Sequence, residues 1–302
     1  MTADVSVKIT AATVKQYLKD KGADLVGIAP VDRFPIDGSN RDPRLHFRRA
    51  HSVIVFARRV AFSSATPYPS VAGLQFGDYT LEAQLNELAY EASLWLEDAG
   101  AITMPMPAGR DVVSFEVRQR PPAEPKISLK GSFDLRYAAV VAGIGRLGAN
   151  GLVINERFGS RIRLCAVLST AKVEPDQPFE FGGKLPDFCH DCGFRCVKAC
   201  PAAALSTPGH VDHYRCLAIR PDLVDPEEVL TSLERDMRGN PLVLAAKQLS
   251  YTTSPPHTCA TCTTLCPMDQ GRKLATDPFL REGWEDGDFM QAGTFPARKM
   301  NG

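Results

Sequence analysis

The chain has 302 residues, of which 44% are apolar and 23% charged, as is typical of a globular protein that buries a sizeable core. Its 35 basic residues balance 35 acidic ones, so the sequence lacks the basic surplus of a general nucleic-acid binder. In chain order, Val14 and Leu18 predict a short helix that stops near Gly22, and residues 24–29 and 52–56 predict buried strands.

The middle of the chain begins with the clearest helical pattern. Leucines and alanines at helical spacing predict a long helix that starts near Thr80, and Gly100 is placed to cap its C-terminus. The proline-rich residues 101–127 predict an irregular connection.

The second half of this region combines a helix, a glycine-rich segment and strands. Residues 136–141 predict a helix that leads into the glycines, and residues 152–155 and 161–168 predict two strands. Residues 171–187, with prolines and several acids, predict a linker. The pattern indicates a mixed α and β region followed by a separate cysteine-rich region.

The N-terminal residues show no charged start followed by an apolar core and a cleavage site, and no twin-arginine pair. The best apolar stretch, Tyr137–Ile144, is far shorter than the ~20 residues that span a bilayer. We therefore expect a cytoplasmic protein with no membrane partner. In that compartment clustered cysteines hold metal more often than they form disulfides.

Nine cysteines are the unusual feature of the composition, and all except Cys165 fall between Cys189 and Cys266. A run Cys-x2-Cys-x3-Cys-x3-Cys-Pro precedes a lone cysteine and a run Cys-x2-Cys-x3-Cys-Pro. In two-cluster ferredoxins the cysteine before proline ligates the other cluster. The spacing thus predicts two [4Fe–4S] clusters, the first held by Cys189, Cys192, Cys196 and Cys266, and the second by Cys200, Cys216, Cys259 and Cys262.

The first run has three residues, rather than the usual two, between its second and third cysteines. We expect the extra residue to bulge without moving the thiols. A pair of structural zinc sites is the alternative, although zinc ligands usually come as paired knuckles, which neither run contains. Two clusters in series would conduct single electrons, to a site in this chain or to a partner.

The glycine-rich segment contains Gly143-x-Gly145-x-x-Gly148, which matches a dinucleotide-binding fingerprint. That fingerprint requires a strand before it, a helix after it and an acidic residue about 20 positions on. Here a helical pattern precedes the glycines, strand-like sequence follows them, and Arg163 lies where the acid is expected. A nicotinamide site is therefore the weaker interpretation of these glycines.

The whole segment from Ala138 to Thr170, AAVVAGIGRLGANGLVINERFGSRIRLCAVLST, closely resembles a block of epoxyqueuosine reductases and reductive dehalogenases. The family pattern runs AGLGxxGKNxLLIxPxFGSRxRLGxILT. The stretches DLVGIA and SVIVF, together with the two cysteine runs, are also similar. The resemblance covers roughly residues 10–270 and joins the two parts of the chain in one family pattern.

This resemblance implies an α+β fold with a nitroreductase-like cobalamin-binding domain in residues 1–175. A two-cluster ferredoxin-like domain with a C-terminal tail is implied for residues 176–302. The corrinoid of such proteins sits base-off between the two domains. By this analogy the corrinoid would be lined by Gly143, Gly145, Gly148, Asn150, Gly151, Ser160, Arg161 and Leu164. Turn formation and helix packing are the alternative role of the glycines.

The sequence also departs from the family pattern. The lysine before the asparagine of the family pattern is Ala149 here, and the catalytic acid of epoxyqueuosine reductases falls on Leu129. The C-terminal repeats of those tRNA enzymes have no counterpart in this sequence, so we expect a shorter relative for which tRNA is not the partner. Candidate catalytic residues near the family's acid position are Asp134, Arg136 and Tyr137.

The sequence therefore predicts a cobalamin-dependent oxidoreductase. Electrons from a ferredoxin or flavodoxin would cross two [4Fe–4S] clusters to a corrinoid that reduces a small organic substrate. The alternative is an iron–sulfur electron-transfer protein, or a corrinoid reductase, that serves a partner and has no substrate chemistry of its own. A zinc-bound interaction module is the third possibility.

Overall fold

The computed structural model of the chain mixes helices and strands in its first part, and its cysteine-rich part contains short helices. This agrees with the predicted α+β class. Outside the described residues lie Cys259, Leu129 and the predicted C-terminal tail. The structure describes residues 8–61, 71–108, 132–180, 185–200, 203–205, 209–212, 216, 261–264 and 266.

A four-stranded antiparallel sheet forms the centre of the described fold, in the order β1-β2-β6-β3. Ile28 pairs with Ile54, and Phe56 pairs with Cys165, so the predicted strands are neighbours. An antiparallel sheet differs from the parallel sheet on which a dinucleotide fingerprint depends. The strands are β1 Leu25–Pro30, β2 Ser52–Arg59, β3 Thr103–Met106 and β6 Ile162–Ser169.

Helices cover both faces of this sheet. Strand alternation sends Val53 and Val55 to one face, where they pack with the third helix, α3 (Leu135–Val141). The intervening Ile54 and Phe56 pack on the other face with the first two helices. Burial on both faces explains why the central strands read as continuous apolar runs. The remaining helices of this layer are α1 Ala11–Asp20 and α2 Val71–Asp98.

The two helices on the second face have clear boundary signals. Thr10 caps α1 in a capping box with Thr13, and the chain turns at Gly22 with a φ of 98°. The helix α2 begins at Val71, ahead of the predicted Thr80, because the apolar spacing marks its buried face and not its start. It ends as predicted, with the Gly100 amide donating to the Glu97 carbonyl at 2.9 Å.

The prediction of an irregular connection over residues 101–127 is wrong for its first part. Thr103–Met106 forms β3 and pairs with β6. This strand was not predicted because it contains Pro105, and proline is disfavoured in a sheet. It is tolerated because β3 lies at the sheet edge, where only one side needs ladder hydrogen bonds.

The glycine-rich segment forms a small hairpin beside the main sheet. It follows α3 directly and contains β4 (Arg146–Leu147) paired with β5 (Val153–Ile154). The predicted helix before the glycines and the predicted strand after them are both confirmed. The loop of this hairpin, residues 148–152, is the glycine-rich loop of the sections below.

The first part of the predicted linker is fixed against the sheet. The Asp176 amide donates to the Ile28 carbonyl at 2.9 Å, and the Asp176 carboxylate accepts from the Ile28 amide at 2.9 Å. Lys15 pairs with the same carboxylate. The guanidinium of Arg33 donates to the carbonyls of Asp176 and Val141, at 2.5 and 3.0 Å. The proposed boundary near residue 175 therefore lies in a segment bound to the first layer.

The described cysteine-rich part consists of short helices. These are α4 Asp187–Asp191, α5 Arg195–Lys198 and α6 Thr261–Thr264. Among the described helices, none has both the length and the apolar character needed to cross a membrane. Helices this short depend on tertiary contacts for their stability.

Candidate metal centre

The first cysteine run folds as two short helices around a left-handed turn. Cys189 lies on α4, Cys192 caps its C-terminus, and Cys196 lies on α5. Between them, Gly193 and Phe194 have φ values of 64° and 59°. Left-handed backbone is uncommon for a non-glycine residue. The extra residue in the cysteine spacing is accommodated in this turn.

Thiols from the two cysteine runs pack together. Cys189, Cys196 and Cys266 belong to one buried cluster and are 4%, 9% and 8% exposed. Ala149 of the glycine-rich loop belongs to the same cluster. The structure thus brings Cys266 to the first run, as the predicted crossing of this cysteine between the runs requires.

The electrostatics of these thiols indicates what they can bind. Burial raises the pKa of Cys196 to about 11, and the neighbouring thiols of Cys192, Cys266 and Cys189 raise this pKa as well. Burial also raises the pKa of Cys189, against the effect of a hydrogen bond from the Ala149 backbone. Thiolates are costly in such a site unless a cation compensates them. The donor set therefore fits an iron–sulfur core, whose iron atoms bind thiolate.

The described residues contain no group of three or more His, Cys, Asp or Glu side chains placed to hold one metal ion. A [4Fe–4S] core binds each thiolate at a separate iron atom, so its ligands do not converge on one point. Within the described residues, Cys189, Cys192, Cys196 and Cys200 form no disulfide.

The second predicted ligand set is only partly within the described residues. Cys200 and Cys262 are half-buried and Cys216 is exposed, while Cys259 lies outside the described residues. Cys262 packs against the buried cluster that contains Cys266. The second cluster stays a prediction.

The glycine-rich loop lies against both cysteine runs. The Ala149 carbonyl accepts from the Gly209 amide at 2.9 Å. The Asn150 side chain, 3% exposed, donates to the Cys262 carbonyl at 3.3 Å and accepts from the Leu152 amide at 3.1 Å. This loop is thus the point at which the sheet layer and the cysteine segment meet.

The glycines of the hairpin are needed for close packing within the chain. A side chain at Gly145 would place its Cβ 2.5 Å from the Ile154 carbonyl oxygen, and one at Gly148 would lie 2.2 Å from the Ile154 side chain. At Gly143, with a φ of 76°, the Cβ would lie 2.3 Å from the Gln177 carbonyl oxygen. Internal packing therefore accounts for all three glycines, and their contact with a corrinoid stays a prediction.

Gly151 occupies the tip of the same loop, with a φ of 70°. A Cβ there would lie 2.2 Å from the side chain of Val211, between the two cysteine runs. The Gly151 carbonyl accepts from the Arg136 guanidinium at 3.0 Å. Arg136, a predicted catalytic residue, thus links α3 to the glycine-rich loop.

The three predicted corrinoid-lining residues after the hairpin differ in their contacts. Ser160 is 2% exposed, and its hydroxyl has no hydrogen-bond partner in the described part of the chain. Arg161 donates to the Val60 carbonyl at 2.5 Å, and Leu164 packs against the core on the α3 side. An unpaired buried hydroxyl costs about 1–3 kcal/mol. Ser160 is therefore the residue here that best fits a polar group of a bound ligand.

The other two predicted catalytic residues flank Arg136 at the start of α3. Asp134 caps this helix by accepting from the Tyr137 amide at 3.1 Å, and its carboxylate pairs with Arg41 and Arg136 at 3.4 and 3.7 Å. The Tyr137 hydroxyl donates to the Arg33 carbonyl at 3.2 Å. All three candidates thus have structural contacts, and their catalytic roles stay predictions.

A partly buried ion pair near the start of β6 was not apparent from the sequence. Arg163 pairs with Asp78 at 2.6 Å, and the second carboxylate oxygen of Asp78 is buried with no partner among the described residues. Asp78 and Glu82, both buried, lie one turn apart on α2. The sequence signal for this pair of acids is their four-residue, helical spacing. A predicted helix start at Thr80 leaves Asp78 outside the helix, so this spacing was not recognised.

The ninth cysteine is separate from the metal centre. Cys165 is fully buried in β6, and its thiol donates to the Met106 carbonyl at 3.1 Å. Burial raises its pKa to about 12. This agrees with the prediction of a small buried residue, and a thiol in this state is a poor nucleophile.

No protein-family model matches the chain. Epoxyqueuosine reductase from Bacillus anthracis is 30% identical over 159 residues, which cover 51% of this chain and 36% of that protein. Tetrachloroethene reductive dehalogenase from Desulfitobacterium hafniense is 44% identical over 68 residues, or 22% of this chain and 12% of that protein. The match spans about a third to a half of the length of the epoxyqueuosine reductases.

Solved structures support the fold. An epoxyqueuosine reductase crystallised with an epoxyqueuosine-modified tRNA stem loop gives a TM-score of 0.52 at 20% identity. The match covers 86% of this chain and 65% of that one. The same fold thus extends over most of this chain, and the sequence matches confirm the predicted resemblance.

Proposed function

Because the chain is a relative of epoxyqueuosine reductases and reductive dehalogenases, we propose that it is an iron–sulfur, cobalamin-dependent reductase. The proposal rests mainly on the packing of Cys189, Cys196 and Cys266 against Ala149 of the glycine-rich loop. This loop belongs to the segment that carries the family resemblance. A cluster held by these thiols would border the loop directly.

The first cluster is proposed to use Cys189, Cys192, Cys196 and Cys266, and the second to use Cys200, Cys216, Cys259 and Cys262. Around the first cluster the chain would provide a buried, largely apolar site, in which thiolates are favourable only when a cation compensates their charge. Such a setting also tunes the reduction potential, which depends on cluster charge, hydrogen bonds and solvent exposure.

Cobalamin, when bound, supplies a reducible cobalt centre for the substrate chemistry. Ser160 fits such a group because its hydroxyl is buried and lacks a partner in the described part of the chain. The backbone of Gly143, Gly145, Gly148, Asn150 and Gly151, together with Arg161 and Leu164, completes the proposed lining. These residues would orient the group and exclude water.

The finer architecture belongs to the same proposal. We assign a nitroreductase-like first domain to residues 1–175 and a two-cluster ferredoxin-like second domain to residues 176–302. A cytoplasmic ferredoxin or flavodoxin is the proposed electron donor, because each cluster accepts one electron at a low potential.

Proton delivery is proposed for the group at the start of α3. Asp134, Arg136 and Tyr137 lie next to one another, and Arg136 reaches the glycine-rich loop. Tyr137→Phe is the cleanest test, since it removes only a hydroxyl that donates to the Arg33 carbonyl. If Tyr137 supplies the proton, turnover falls by about 100-fold or more while cluster and corrinoid content are unchanged.

The substrate is proposed to be a small organic molecule. The solved relative with a tRNA stem loop weighs against our expectation that tRNA is not a partner, so tRNA is the substrate to test beside it. Turnover assays should therefore compare an organic halide with an epoxyqueuosine-containing stem loop. Reduction of the stem loop alone would assign the chain to the tRNA enzymes.

The second candidate is an electron-transfer protein without substrate chemistry. It is favoured by the structural contacts of all three candidate proton donors, each of which is already engaged. In that case clusters would be present and reducible, but the isolated chain would not turn over any substrate.

An anaerobic absorption and EPR spectrum of the full chain, produced with corrinoid available, tests the proposal. We expect signals of [4Fe–4S] clusters and of base-off cobalamin in the same sample. Cys196→Ser should remove the first cluster, whereas Cys165→Ser, at a buried thiol of the sheet, serves as the matched control. Clusters without corrinoid would favour the electron-transfer protein, and zinc without iron or sulfide would overturn both candidates.

A further inference from the structure

We infer that Asn150 is a positioning residue, which ties the glycine-rich loop to the second cysteine run and thereby sets the reduction potential of the first cluster. The inference rests on the proposed function, since it presupposes a cluster at Cys189, Cys192, Cys196 and Cys266. It gives Asn150 a role toward iron and sulfur, in addition to the corrinoid lining suggested by the family resemblance.

Both ends of the Asn150 amide are engaged within the chain. The Oδ1 atom accepts from the Leu152 amide at 3.1 Å and shapes the loop, while Nδ2 donates to the Cys262 carbonyl at 3.3 Å. At 3% exposure the side chain has little access to water that could replace either bond. The amide thus holds one particular arrangement of loop and cysteine run.

The carbonyl that Asn150 holds belongs to α6, which leads to Cys266. Cys262 lies on this four-residue helix, and Cys266 follows one turn later in the buried cluster. A helix of one turn has little stability of its own. The Asn150 bond therefore anchors the element that delivers the crossing thiol to the first run.

The other side of the same loop contacts the first run. Ala149 packs with Cys189 and Cys196 in the buried thiol cluster. The reduction potential of a cluster depends on its charge, on nearby hydrogen-bond donors and on solvent exposure. Because Asn150 adjoins Ala149, loss of its amide donor, or a negative charge in its place, disfavours the more negative, reduced cluster and lowers the potential.

The hairpin contains a matched control for this residue. Asn155 accepts from the Arg157 amide at 2.9 Å and donates to the Ile144 carbonyl at 2.6 Å. It has the same pair of local and distant hydrogen bonds as Asn150, but its distant partner is not a cysteine. A substitution at Asn155 therefore reports the generic effect of disturbing the hairpin.

The test is an EPR-monitored redox titration of the full chain, with iron analysis, in Asn150→Asp, Asn150→Ala and Asn155→Asp. Asn150→Asp removes the donor and adds negative charge. We expect its first cluster to become tenfold harder to reduce at a fixed potential, which is a shift of 59 mV for one electron. Asn150→Ala should shift less in the same direction, and Asn155→Asp should match the wild type.

Several outcomes decide the inference. Loss of iron from both Asn150 variants, with iron retained in Asn155→Asp, would support the inference, because it would show that the Asn150 bonds are needed to assemble the cluster. Wild-type potential and iron in both Asn150 variants would overturn it, as would an equal shift in Asn155→Asp. Absence of iron from the wild-type chain would instead overturn the proposed function, and the inference with it.

Discussion

The sheet layer and the cysteine segment of this protein are stabilised by different means. In the sheet layer, long strands bury apolar side chains on both faces, and α1, α2 and α3 cover them. In the cysteine segment, helices of four or five residues surround a few buried thiols. The comparison indicates that the sheet can fold through hydrophobic burial, whereas the cysteine segment has little apolar core and would gain stability from the proposed iron–sulfur clusters.

Two buried thiols show the contrast at the level of single residues. Cys165 and Cys196 both have a raised pKa, and burial is the largest cause in each. The surroundings of Cys165 are sheet side chains and a backbone carbonyl, whereas those of Cys196 include three other thiols. Only the second setting gains from a cation, so burial alone does not identify a metal ligand.

Removing iron should produce the largest difference between the cysteine segment and the sheet layer. Chelation of iron is expected to abolish the ordered structure around Cys189, Cys196 and Cys266, while the sheet persists, because all the proposed cluster ligands lie in the cysteine segment. Limited proteolysis should then cut within residues 185–266 and spare residues 8–61. Equal protection of both regions without iron would contradict the comparison.

The sheet layer should respond to cavity formation instead. Leu85→Ala, at a fully buried position of α2, is expected to lower the free energy of unfolding by about 2–5 kcal/mol without changing iron content. Leu94→Ala is the matched control, since this leucine of the same helix is 45% exposed and its loss should cost less than about 0.5 kcal/mol. Urea denaturation followed by circular dichroism measures both.

The Cys165 thiol should make stability depend on alkaline pH. Burial raises its pKa to about 12 in the folded chain from an ordinary thiol value of 9.0, so above pH 9 the unfolded state ionises first. Stability is fully present below pH 9 and should fall by about 1.4 kcal/mol per pH unit up to about 12. Cys165→Ala should flatten this profile, and an unchanged slope in that variant would exclude the thiol as its cause.

The smallest expected effect concerns the cap of α1. Thr10→Ala removes the side-chain bond to the Thr13 amide at 3.2 Å and should cost about 1 kcal/mol of unfolding free energy. Thr10→Ser, which keeps the hydroxyl, should restore most of this stability. Thermal unfolding of the three chains checks the order, and equal melting temperatures for Thr10→Ala and the wild type would show that the cap contributes nothing.

The sequence by itself determined what local pattern and spacing can encode. Short continuous runs of apolar residues identified β1 and β2, the leucine spacing identified most of α2, and cysteine spacing grouped Cys266 with the first run. Each of these signals repeats within a short window or follows from ligand geometry. The family resemblance was carried by residues 138–170, which is an equally local signal. The sequence matches to epoxyqueuosine reductases confirm the resemblance.

Tertiary structure decided what depends on distant partners. Pro105 concealed β3, because only its position at the sheet edge makes the proline acceptable. The glycines of the hairpin resemble a cofactor-binding motif in the sequence. In the structure, Ile154 lies so close to Gly145 and Gly148 that a side chain at either position would clash with it. The bond from Asn150 to the Cys262 carbonyl joins residues 112 positions apart, and no local pattern encodes a contact of that kind.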